Sequence, residues 1–97
     1  MIAVMDGIVT TDDVLGGEPR VQGRRISVRQ IAALVIDGGN APADVADQLD
    51  LAIHEIHLAL AYHYANPEEM AAVRETHDER MRQAREQGIE PPETLTR

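Results

Sequence analysis

The chain has 97 residues, 43% of them apolar, with nine Arg and no Lys against 17 Asp and Glu, for a net charge of −8. It contains no Cys, which excludes disulfides and thiolate metal sites, and no run approaches the roughly 18 apolar residues of a membrane span. The start lacks a basic stretch followed by an apolar run, so no secretory signal is expected and the chain reads as cytoplasmic.

Residues 1–26 are strand-like. Ile2, Val4, Ile8, Val9, Val14, Leu15, Val21 and Ile26 lie among Gly, Asp and Thr with no helical period. The segment "GGEPRVQGRRISV" (16–28) is punctuated as turns: Gly17 and Gly23 can take positive φ, and Pro19 presets its own φ. Short strands are expected near 7–10, 19–22 and 26–28. Helices follow. Ser27 is placed to cap a helix over about 28–37, closed by Gly38 and Gly39. Pro42 opens a second helix over about 42–49, with Val45, Ala46 and Leu49 inward. A third, about 53–65, is expected to bury Ile53, Ile56, Leu60 and Tyr64 on one face. Asn66-Pro67-Glu68-Glu69 is a start signal for a fourth, over about 67–87 and stopping at Gly88. Its apolar stripe (Met70, Val73, His77, Met81, Ala84) is thin, and Asp78–Arg82 and Arg82–Glu86 stand at i, i+4 spacing. The tail "IEPPETLTR" reads as extended.

The fold class is therefore mainly α: a short N-terminal β-hairpin, a three-helix, homeodomain-like helix-turn-helix core over 1–66, and a C-terminal helix and tail over 67–97. Much of the apolar content is Ala, and Tyr62 and Tyr64 are the only aromatics. A chain this short buries only about 60–65% of its unfolded surface. Homodimerisation is the expected remedy. Charge is segregated: Arg20, Arg24, Arg25 and Arg29 are the only charges in 20–36, whereas 37–69 holds seven acids and no Lys or Arg. Acid excess without Lys is a halophile-type composition, and GC-rich coding explains Arg in place of Lys equally well.

The helices at about 42–49 and 53–65 have helix-turn-helix proportions, which makes the second a recognition-helix candidate exposing His54, Glu55, His57 and Leu58. The acidity of 37–69 opposes this, because phosphate neutralisation supplies most non-specific affinity. Arg20, Arg24, Arg25 and Arg29 could provide the missing charge. The plainer alternative is a tri-helical core with no DNA role. "HEIH" (54–57) is one residue short of HExxH and is followed by no third ligand at a metalloprotease spacing, so surface histidines are expected rather than a metal site. No nucleophile–base arrangement, paired carboxylates or GxxxxGK[ST] loop is present, so neither an enzyme nor a cofactor is expected. Met70, Val73, His77 and Met81 are the candidate partner-binding residues of the fourth helix, which is otherwise a solvated extension.

The residues "GGEPRVQGRRISVRQI", "APADVADQLDL" and "EIHLALAYHYANPEEM" resemble a small prokaryotic domain-of-unknown-function family, numbered four hundred and thirty-three. The resemblance covers about 8–70 and rests on Gly16, Gly17, Pro19, Gly23, Arg25, Ile26 and Val28 in the hairpin signature. Pro42, Asp44 and Val45 carry it in the second helix, and Leu60, Ala61, Tyr62 and Tyr64 in the third. It implies a VapBC-type antitoxin: a dimeric helix-turn-helix protein that binds operator DNA and neutralises a PIN-like ribonuclease toxin. The alternative is a dimeric adaptor using the same fold for protein–protein contact without DNA. Three departures stand out. Arg24 replaces the family's Thr, and Ala41 and Ala52 stand where Ser or Thr caps the second and third helices, a loss of typically ~1 kcal/mol each. Asn40 and Asp50 could compensate by shifting the helix starts.

Overall fold

The computed structural model describes residues 1–88. The tail expected to be extended (89–97) lies outside them. Two compact units divide the chain, Met1–Pro67 and a second beginning at Glu68. The fold is mainly helical behind an N-terminal antiparallel hairpin. No helix of the described residues is long and apolar enough to cross a membrane.

The hairpin is part of a three-stranded antiparallel sheet in the order β1 (Ile2–Met5), β2 (Ile8–Thr10), β3 (Arg20–Val21). Sequence reading placed β2 and β3 but not β1. The turn between β1 and β2 is Asp6-Gly7, a strong hairpin dipeptide between apolar runs, with Gly7 at φ +82°. A bulge falls between Ala3 and Met5. Ile8 and Val9 are both buried, so the central strand is covered on both faces. The strand expected at 26–28 is a single bridge, Arg20 to Ser27, because Val28 already starts a helix.

Helix α1 (Val28–Ala32) begins at Ser27, whose hydroxyl accepts the Gln30 N–H at 3.0 Å. It continues as a π turn over Ala33–Asp37, closed by Gly38 N–H to the Ala33 carbonyl at 2.8 Å. Of the two expected closing glycines, only Gly39 takes positive φ. Asn40 donates its side-chain amide to the Leu34 carbonyl at 2.8 Å. It thus finishes the first helix, and α2 (Pro42–Leu49) starts at Pro42 with no side-chain cap from Ala41. Val45 and Ala46 are buried and Leu49 is half-buried.

Helix α3 (Ile53–Ala65) buries Ile56, Ala59 and Tyr62. This corrects the expected inward face, since Ile53 is 45% and Tyr64 67% exposed and Leu60 is half-buried. The helix is apolar nearly all round, so its pattern did not select a side. It packs against α1, α2, β2 and β3. The core is Ile8, Val9, Val21, Val28, Ile31, Val45, Ile56 and Ala59, and each fully buried Val or Ile contributes about 1.5–3 kcal/mol. Gly7 fits this packing closely: a Cβ there would stand 2.7 Å from Leu58 Cδ1.

Helix α4 (Pro67–Glu86) ends one residue earlier than expected. Gly88, at φ +76°, donates its N–H to the Arg85 carbonyl. On its surface Arg82 pairs with Glu79 and Glu86, so Glu79 at i−3 takes the place expected for Asp78.

Candidate nucleic-acid interface

The four arginines expected to meet phosphate have different situations. Residues 21–26 form a tight turn with Gly23 at φ +80° and Val21 N–H on the Ile26 carbonyl at 2.9 Å. Arg20 reaches across it, donating Nη1 to the Arg24 carbonyl at 2.8 Å and Nη2 to Thr11 Oγ1 at 2.9 Å. Arg24 extends to the end of α2 and donates Nη2 to the carbonyls of Leu49 at 3.2 Å and Asp50 at 2.8 Å. Arg29 pairs with Glu18 at 3.1 Å. Arg25 is exposed.

These bonds determine the local charge. Arg20 and Arg24 donate to neutral oxygens, so each keeps its positive charge, whereas Glu18 offsets that of Arg29. Among the described residues Arg20, Arg24 and Arg25 therefore have no ion-pair partner, in a chain of net charge −8. The Arg24 contact fixes this group beside the turn that launches α3.

That turn is Asp50-Leu51-Ala52. Asp50 is left-handed at φ +56°, and Leu51 is buried with its N–H on the Ala46 carbonyl at 2.9 Å. A left-handed residue ends α2, and the Arg24 guanidinium adds cation capping of the last carbonyls. At the start of α3, the Glu55 carboxylate accepts the Ala52 N–H at 2.9 Å. Alanine has no oxygen to return the bond, so only half of a capping box is built.

The candidate reading residues divide accordingly. His54 and His57 are exposed on α3 and face outward. Glu55 is half-buried and bent back onto the helix start, and Leu58 packs toward Gly7. No cluster of metal-ligating side chains occurs among the described residues. The exposed residues of α3 include Ile53, His54, His57, Ala61 and Tyr64, with no Asp, Glu, Lys or Arg. Tyr64 sets its ring edge-on to His63, 5.2 Å between centroids.

Sequence reading did not single out Thr11, which anchors Arg20. It also missed Arg24 as a helix cap. Neither has a periodic signature, because the partners lie 9, 25 and 26 residues apart. Ile53 and Tyr64, which the helical period places inward, are exposed.

On α4, Val73, His77, Met81 and Ala84 form a half-exposed stripe. Met70, expected to bind a partner, is buried, so the accessible part of the stripe begins at Val73.

No curated protein and no solved structure matches the chain. A family model described as "Protein of unknown function (DUF433)" matches residues 8–63. That span runs from β2 almost to the end of α3 and takes in the arginine turn, its anchor at Leu49 and Asp50, and both exposed histidines. With more than half of its length matched, the chain belongs to the DUF433 family.

Proposed function

We propose that the protein is a homodimeric, antitoxin-like helix-turn-helix protein. Its α2–α3 unit binds operator DNA, and the segment 67–97 binds and neutralises a PIN-like ribonuclease toxin. The observation that carries this reading is the Arg24 contact with Leu49 and Asp50, which sets the arginine turn, with three cations that have no ion pair among the described residues, beside the start of α3. Phosphate contacts position such a protein, and base edges specify its site. Arg20, Arg24 and Arg25 serve the first role. His54 and His57 serve the second, donating or accepting at base edges. Arg29 contributes less, being paired with Glu18. The half-exposed stripe Val73, His77 and Met81 is the docking strip for the toxin.

The test is fluorescence anisotropy of the full chain on its own upstream DNA across a salt series, with and without a PIN-domain ribonuclease from the adjacent reading frame. Arg25→Ala weakens binding evenly across sequences and lowers the salt slope by about 1. Retention no better than on scrambled DNA, with the toxin present or absent, removes the DNA half.

A second reading, a dimeric adaptor without DNA contact, is favoured by one specific observation. The exposed residues of α3 carry no formal charge, and 37–69 offers no Lys or Arg to phosphate. Under that reading the same arginines pair with acids of a partner chain, and only the protein partner is retained.

A further inference from the structure

We propose that two copies of the chain join through β1, pairing antiparallel about a two-fold axis to form one continuous six-stranded sheet. This rests on the homodimer in the proposed function and is independent of its DNA and toxin partners.

The sheet has two edges, and only one is open among the described residues. The β3 edge is occupied by its own chain: Arg20 bridges Ser27, Val21 N–H bonds the Ile26 carbonyl, and Val28 N–H bonds the Pro19 carbonyl. β1 pairs with β2 on one side and with nothing on the other. A free strand edge is a row of unmatched backbone donors and acceptors, and its chemical complement is another extended strand. Proteins ordinarily guard such edges with charge or proline. Residues 2–5, Ile-Ala-Val-Met, contain neither. Ile2 is 64% exposed and Val4 42% exposed.

Three features select a second copy as the occupant. The first is closure. The partner's only open edge is the same edge, so pairing consumes both and stops at two chains. The second is register. A two-fold axis perpendicular to the sheet through Ala3 sets Ala3 opposite Ala3 of the partner subunit and brings Ile2 alongside the bulged Val4 of the partner subunit. The exposed apolar side chains of the two strands then shield one another from water, with the smallest side chain on the axis. The third is charge. Each copy carries −8, so two copies approach closely only where neither brings an acid, and β1 is such a place. The bulge between Ala3 and Met5 limits the ladder to the first residues of the strand, which favours a discrete dimer over open-ended stacking.

The test measures the full chain by sedimentation equilibrium over a range of concentrations. Three proteins are compared: the wild type, an Ile2→Lys/Val4→Lys variant and an Ile53→Lys/Tyr64→Lys variant. Hydrogen exchange of the wild type is followed at low and high concentration. The expected result is a wild-type dimer with exchange protection gained at the amides of residues 2–5. In the β1 variant the dissociation constant rises at least about tenfold with helical content intact, while the α3 variant still dimerises. Unchanged dimerisation of the β1 variant overturns the β1 assignment and leaves the homodimer standing. So does loss of the dimer in the α3 variant alone, or absence of protection at residues 2–5. A wild type that stays monomeric at every concentration overturns both.

Discussion

From Arg20 to Arg29 every charge is positive, and from Asp37 to Glu69 every charge is negative. The two regions use their charge differently. In the first, Arg20, Arg24 and Arg29 are bonded to the protein itself, and Arg25 stands clear. In the second, Asp44, Asp47 and Asp50 hold exposed side chains, while Glu55 bonds the start of its own helix. Helix starts differ in the same sense. The arginine segment hands the chain to α1 through a buried, hydrogen-bonded Ser27, whereas α2 and α3 start behind Ala41 and Ala52. The positive region is a structural joint that also carries charge. In the negative region the acids lie on helices held by the buried Val45, Ile56 and Ala59 rather than by charge.

The difference predicts an order of effects. Arg20→Ala is the most disruptive, because it strips the Arg24 carbonyl and Thr11 of a part-buried charged donor. It costs about 2–3 kcal/mol in chemical denaturation. Arg24→Ala costs about 1–2 kcal/mol, since water reaches part of its site. Next comes a gain. Ala41 and Ala52 already have the extended backbone of an N-cap residue, at ψ 142° and 148°. Ala52→Ser, or Ala41→Ser, therefore stabilises by about 0.5–1 kcal/mol, visible as a raised melting temperature. Arg29→Ala removes an ion pair whose side chains are 25% and 14% exposed, a loss below about 1 kcal/mol after solvent screening. Arg25→Ala and Asp47→Asn shift stability by less than about 0.5 kcal/mol. Their effect appears in binding: the first weakens any DNA complex and the second strengthens it. If Arg25→Ala destabilised the fold as much as Arg20→Ala, the contrast between joint and surface would collapse.

Much of the scaffold was legible in the residues. Pro42 marks the start of α2, Ser27 caps α1, and the Gly and Pro spacing of 16–28 gives the turns, because each acts through local backbone geometry. Asp6-Gly7 carried an equally local signal for β1 that the strand reading passed over. The face of α3 was not legible: Ile53, Ile56, Leu60 and Tyr64 satisfy a helical period as well as Ile56, Ala59 and Tyr62 do. The site was legible only as composition. The arginine cluster is visible in the chain, but which guanidiniums are bound and which is free depends on carbonyls more than twenty residues away. The π turn at Ala33–Asp37 likewise follows from how the end of α1 meets Gly38 and Asn40, which no propensity encodes.

The bond from Arg24 to the carbonyls of Leu49 and Asp50 also closes a ring of chain. All of α1 and α2 lies inside it. Both helices also pack on α3, so opening the ring removes a closure that they share. Hydrogen exchange should therefore report α1 and α2 opening as one cooperative unit with the 20–26 turn. In Arg24→Ala that unit should separate, with the amides of α2 exchanging ahead of those of the sheet.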